Sequence, residues 1–391
     1  MGKWIKEKWG LKKTTIILLL LFVLVDKSVY GGTSLPISTN IDMEYGESYK
    51  SDYDEIQYVI DDLLKGNNKF DFGKTVNELI RGENDLSFNQ IIISVKDKVM
   101  GEIKENIKNF TAIIAIALIA AIFTNVSQAF KNNQVSDTGF YVTYLLLFAV
   151  LATSFITVSN IASNTIGSIL DFMKVLVPTY IMALAFSTGS ATSYVYYQST
   201  LFLITFVDLI LLKLIIPMIN IQFIISIANN LSKEDMLSKL SELLEDGVSW
   251  LLKALLALVV ALNTANGLLT PVADKLKKNG ILKVAKAIPG VGEVIGGVAE
   301  SVVSAGVLLK NAVGLAGVVV IIVICAVPLL KLGVTALIYK TSVAVVQPIS
   351  DKRLINCISV AANACVLLLN TVIVGLVLFV VTITIIAVST T

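Results

Sequence analysis

The sequence predicts an all-α fold. It reads as a polytopic helical membrane protein of about seven transmembrane helices, with one re-entrant or amphipathic segment and a small helical extracytoplasmic N-terminal segment. Three observations predict it. Of 391 residues, 55% are hydrophobic and only 15% are charged, against about 25% charged in soluble domains. The apolar residues fall in long runs, each able to cross a hydrocarbon layer of about 30 Å at about 1.5 Å per residue. The final run is rich in Val, Ile and Thr, which favour strands in water. An isolated strand leaves its backbone unpaired in lipid, so a helix is expected there too.

At the N-terminus, Lys3, Lys6, Lys8, Lys12 and Lys13 precede an apolar run from Ile16 to Val25. That run is too short to cross a bilayer and suits a signal peptide over 1–31, with cleavage after Gly31. The chain beyond Gly31 is expected outside the cytoplasm. Residues 32–109 form an extracytoplasmic segment whose polar start, around Pro36, has the composition of a disordered stretch. Ile56, Val59, Ile60, Leu63 and Leu64 then mark one amphipathic stripe. Val76, Leu79 and Ile80 mark a second, stopped near Gly82, and the third runs from Leu86 towards Phe110. Three short helices make a cap, not an enzyme domain.

The transmembrane domain occupies 110–391. Spans are expected near 110–130, 140–162, 169–188, 194–216, 249–269, 312–334 and 359–388. Residues 214–232, interrupted by Pro217, and residues 335–349, ending in Gln347-Pro348, fit an extra span, a re-entrant piece or an extension. The loop at 232–247 is acidic, and 270–311 carries Lys275, Lys277, Lys278, Lys283, Lys286 and Lys310. The positive-inside rule puts the second of these in the cytoplasm. Lys340, Lys352 and Arg353 then conflict with a simple alternation.

Composition also excludes function classes. The net charge of +2 gives no pull towards nucleic acid, and the chain has no histidine. The commonest general base and the commonest zinc ligand are therefore missing. Cys325, Cys357 and Cys365 lie in apolar surroundings with no paired spacing and read as inert. Gly73-Lys74-Thr75 resembles the end of a phosphate-binding loop, but Asn68 stands where the leading glycine belongs. No catalytic, cofactor-binding or metal-binding residues are expected.

Polar groups within or beside the spans are candidates for a polar path or for helix packing. Asp171 and Lys174 share a helix face, and Asp208 and Lys213 lie in the next span. A charge inside hydrocarbon is costly and must face protein or water. The Gly-rich segment 288–311 opens with Pro289-Gly290. It places Gly292 and Gly296 as a small-xxx-small pair, and Glu293, Gly297 and Glu300 on one face. Lys310 and Asn311 close it.

This segment and its surroundings resemble the stage III sporulation protein AE family of endospore-forming bacteria. The resemblance rests on Pro-Gly-Val-Gly at 289–292, Glu300 and Leu-Leu-Lys-Asn-Ala-Val-Gly-Leu-Ala-Gly at 308–317. Cys-Ala-Val-Pro at 325–328, Ala-Leu-Ile-Tyr-Lys at 336–340 and Val-Gln-Pro-Ile-Ser-Asp at 346–351 continue it. It implies a non-enzymatic, multi-pass component of the mother-cell membrane around the forespore. The implied partners are an ATPase, ring-forming subunits and a forespore-side protein, together forming a channel or secretion-like apparatus; a homo-oligomer is compatible. The family assigns no catalytic residues. The alternative reading from the residues is an autonomous secondary transporter, for which Pro217 and Pro328 suggest discontinuous helices.

Overall fold

The computed structural model describes residues 50–64, 70–81, 110–119, 133–231, 236–285 and 292–389, with isolated positions at 107, 108 and 122. Side chains from 268 to 302 are not among those described. The expected signal peptide, the polar stretch after it, most of the third expected stripe and Pro289-Gly290 lie outside the described residues. All regular structure among the described residues is helical.

Two short helices precede the membrane part, α1 (Lys50–Leu64) and α2 (Phe72–Arg81). The expected stripes are realised in part: Ile56, Ile60 and Val76 are fully buried, Val59, Leu63 and Leu79 half-buried, and Ile80 exposed. Asp71 caps α2, its carboxylate accepting from the Lys74 amide at 2.8 Å. The Gly73-Lys74-Thr75 triplet is therefore the first turn of a capped helix. Gln57 joins the pair, donating to the Phe70 carbonyl at 2.8 Å and accepting from the Phe72 amide at 2.9 Å. A short apolar helix, α3 (Phe110–Ile119), falls in the first expected span.

Among the described residues, five longer helical stretches are apolar enough to cross a membrane, which makes the chain a multi-pass membrane protein. They comprise α4 (Asn133–Thr188), α5 (Ser190–Ile210) continuing through a π turn (Leu211–Ile215) into α6 (Ile216–Leu231), α7 (Ser238–Ala285), α8 (Gly292–Val346) and α9 (Lys352–Ser389). The expected count of seven is not confirmed among the described residues. The spans expected at 140–162 and 169–188 are one unbroken helix. The linker between them is polar but helix-compatible, and Thr165 folds its hydroxyl back onto the Ile161 carbonyl at 2.6 Å. Residues 214–231 likewise continue the preceding rod. Proline has no N–H and its ring crowds the preceding turn. The π turn ends just before Pro217, and the Ile216 amide reaches back five residues to Leu211. Residues 335–346 extend the helix that contains the span expected at 312–334, and this same helix already runs from Gly292.

The connections are tight. Gly189 alone separates α4 from α5, with φ 115°, a conformation glycine adopts without a Cβ penalty. Residues 347–351 separate α8 from α9, and the Asp351 carboxylate accepts from the Arg353 amide at 2.8 Å. Arg353 also lies over the Phe140 ring at 3.6 Å.

Paired side chains set the register. The Tyr144 hydroxyl donates to the Ile227 carbonyl at 2.6 Å, Phe155 stacks on Phe223, and Ser159 meets Asn220 at 2.8 Å. These contacts set α4 antiparallel to the α5–α6 rod. Gln222, Ser226 and Ser241 form a hydrogen-bonded cluster joining α6 to the start of α7. The central helices are α8 and α9: in each, 61% of the most apolar stretch is buried, against 28–39% in the other three. Helix α8 packs mainly on α9 and α4, and α2 rests on α8.

Candidate functional site

The sequence Gly306, Lys310, Gly314 repeats every four residues, so all three share one stripe of α8. The glycines let this stripe approach α4 closely. A Cβ on Gly306 would lie 2.8 Å from the Phe186 Cβ and 2.9 Å from the Phe186 and Ser187 backbone. One on Gly314 would lie 3.1 Å from the Tyr180 ring. On the adjoining turn, one on Gly317 would lie 2.5 Å from Leu176 Cδ2. The contacts descend α4 as they ascend α8, so the two helices run antiparallel with almost no gap.

Lys310 stands midway along this stripe and is completely buried. The helix around it has the highest hydropathy of the five. Burying a lysine is tolerated only where polar groups meet it. The same end of the bundle carries buried polar groups from other helices. The Tyr180 hydroxyl of α4 donates to the Ile383 carbonyl of α9 at 3.4 Å. Beside it, Asn263 of α7 donates to the Thr382 hydroxyl at 3.1 Å. Thr188 and Ser193 face each other at 3.5 Å across the Gly189 corner. All five long helical stretches thus place buried polar atoms at one end of the bundle.

The other expected positions divide. Asp171 and Lys174 pair at 2.8 Å, but both are more than half exposed. They form an outward-facing ion pair, not part of the buried seam. Asp208 is half-buried, Lys213 lies exposed on the π turn, and Asn311 is exposed beside buried Lys310. Gly292, Glu293, Gly296, Gly297 and Glu300 lie on the first turns of α8, with side chains outside the described set. Pro289 and Gly290 lie outside the described residues altogether. The three cysteines are buried and free. Among the described residues no group of three His, Cys, Asp or Glu could hold a metal ion.

Sequence reasoning missed Tyr180, Thr188, Ser193, Asn263 and Thr382 as members of this layer. Asn263 offered a signal, being an amide inside an apolar span. Thr188, Ser193 and Thr382 looked like ordinary hydroxyls that satisfy themselves on the preceding turn, as Thr382 also does on Leu378 at 2.8 Å, and Tyr180 looked like an ordinary aromatic of an apolar span.

The chain's relationships agree with this layout. The family profile for stage III sporulation protein AE matches residues 70–390. The chain belongs to the stage III sporulation protein AE family. That match takes in α2 and every described membrane helix. The chain is also similar to a protein named stage III sporulation protein AE from Bacillus subtilis (strain 168). They are 26% identical over 292 residues, covering 73% of this chain and 72% of the relative. No solved structure matches. Membership in this family gives the protein a sporulation role in a membrane.

Proposed function

We propose that the protein is a non-enzymatic integral membrane component of a channel or secretion-like complex linking mother cell and forespore, needed for late forespore development. The observation that carries this reading is the family match across the bundle. The packed character of the site supports it: a lysine sealed between helices suits structural or conduit work better than turnover of a substrate. In this reading residues 1–31 are removed, residues 32–109 lie outside the cytoplasm, and the bundle sits in the mother-cell membrane around the forespore. Its partners are an ATPase, ring-forming subunits and a forespore-side protein. Lys310 and Asn311, with Glu293 and Glu300 further along the same helix, are the polar groups through which the bundle serves that complex.

Deleting the gene tests the role. The expected outcome is a block after engulfment with normal vegetative growth. Copurification from sporulating cells should recover the ATPase and ring-forming subunits. Lys310→Met, which keeps the length of the side chain and removes its charge, should accumulate normally while spore yield falls towards that of the deletion. Normal sporulation in that variant would reduce Lys310 to a packing residue.

One observation favours a second reading, an autonomous secondary transporter. The π turn at Leu211–Ile215, with Lys213 on it and Pro217 just after, interrupts a long rod much as discontinuous helices do in transporters. A nutrient-uptake defect in growing cells would select that reading over the first.

A further inference from the structure

Glycines inside the bundle are of two kinds. Those of the α8 seam, Gly306, Gly314 and Gly317, face neighbours that a Cβ would strike or crowd, at 2.5–3.1 Å. Four others have no such reason. A Cβ on Gly167 of α4 or on Gly333 of α8 would meet nothing within 4 Å. One on Gly247 of α7 would lie 3.5 Å from the Met218 Cε, and one on Gly375 of α9 would lie 3.4 Å from the Leu211 Cδ1. Both are ordinary contacts. Alanine fits all four positions and makes a better helix, so packing does not account for glycine there.

These four positions share one transverse layer. Gly375 faces both Leu211 and Ile166, the neighbour of Gly167. Leu211 opens the π turn, and Pro217 follows that turn. Gly247 faces Met218, the neighbour of Pro217. Helices α4 and α8 are antiparallel, with Gly317 against Leu176. Counting eleven residues along each from that contact sets Pro328 opposite Thr165, and five more set Gly333 opposite Asn160. The layer is about 11 Å thick at about 1.5 Å per residue. Each of the five long stretches therefore carries a glycine, a proline or a π turn at one level. Pro178 and Pro271 lie further along their own helices, outside it.

These are the features at which helices bend. Proline withdraws an N–H and crowds the preceding turn. A π turn has already shifted the bonding by one residue, as the Ile216 amide does here. Glycine resists a change of φ and ψ least. On both sides of the layer the packing is specific. Towards the start of α9, Phe155 stacks on Phe223 and the Tyr144 hydroxyl donates to the Ile227 carbonyl. Towards the Gly189 corner, the α8 seam closes on α4, and Asn263 meets Thr382.

We propose that this layer is a hinge, about which the two ends of the bundle tilt as rigid halves. The end that seals Lys310 moves against the end that holds Arg353 over Phe140. The four glycines serve that motion, not packing. The assignment rests on backbone features and so stands or falls separately from the channel reading.

Spin labels test it. Met182→Cys on α4 and Leu243→Cys on α7 are exposed positions on opposite sides of the layer. The three native cysteines are buried, and the chain without the two new ones is the labelling blank. For the full chain in phosphatidylcholine–phosphatidylglycerol nanodiscs, double electron–electron resonance should give a broad distribution of label separations. Adding Gly167→Ala and Gly333→Ala should narrow it, because two alanines shift the bent-to-straight ratio by about tenfold or more. The same pair should raise the thermal transition midpoint and lower spore yield, a combination that a purely structural role does not produce. A distribution already narrow in the parent, or unchanged by the alanines, overturns the proposal. So does full spore yield from the stiffened chain. A lowered midpoint overturns it as well, since packing would then be what requires glycine.

Discussion

Along one side α4 meets α8 through glycines, and along another it meets the α5–α6 rod through large side chains and hydrogen bonds. In the first contact a Cβ at Gly306 would strike the Phe186–Ser187 backbone. In the second, Phe155 stacks on Phe223 with ring centroids 3.9 Å apart, and Tyr144 and Ser159 each make a cross-helix hydrogen bond. The difference lies in what can give way. A contact made by backbone has no side-chain rotamer to surrender, so one added methyl must move a whole helix. A contact made by side chains can repack, and each hydrogen bond lost is a local event. Without a hydrophobic driving force between helices in lipid, close backbone approach and polar stitching are the two available means of association, and α4 uses one on each side.

Substitutions can break or sharpen that contrast. Gly306→Val should have the largest effect, destabilising the bundle by about 3 kcal/mol through overpacking against backbone. Loss of folded protein from membranes, and of a thermal transition in detergent, would register it. Tyr144→Phe removes one buried hydrogen bond from the side-chain contact. It should cost about 1 kcal/mol in the same unfolding measurement. Gly317→Ala sharpens the comparison. Its nearest clash, 2.5 Å, is numerically worse than that at Gly306 but meets only Leu176 Cδ2. Because that methyl can rotate away, the cost should stay below about 1 kcal/mol. An effect as large as that of Gly306→Val would show that distance alone, not the kind of atom, sets tolerance. Lys174→Gln should have the smallest effect, about 0.5 kcal/mol or less, because its pairing with Asp171 is exposed to solvent.

The helical membrane character is legible in the scarcity of charge, and the buried stripe of the cap in Ile56, Ile60 and Val76. The number of helices is harder to read. Hydropathy measures apolar segments, and the polar stretch from Ser159 to Lys174 looks like a gap between two of them. Helix formation depends on backbone compatibility instead, and that stretch holds weak helix formers such as Asn164 and Gly167 but no proline to break it. Pro178 and Pro328 likewise lie inside continuous helices. Lys310 is visible in the sequence as a charge in a Gly-rich segment, but its complete burial is not. That depends on Gly306 and Gly314 meeting α4 over a hundred residues earlier in the chain, a long-range contact that local spacing cannot fix. The spacing of Asp171 and Lys174 does predict their pairing, yet pairing does not say which way a face points.

The Gly189 corner bears on how the molecule assembles. With a single residue between them, α4 and α5 need almost no loop-closure entropy to meet. Their hairpin is the most local long contact in the bundle and the natural first product of synthesis. The α4–α8 contact requires more than a hundred intervening residues to be in place. The expected sequence is therefore an early hairpin that waits, its outer groove open, until α8 emerges and seals Lys310 into it. A stall or truncation before Gly306 would leave that groove lined with Leu176, Tyr180 and Phe186 and vacant for other chains, so quality-control proteases would meet this protein mainly as an unfinished hairpin.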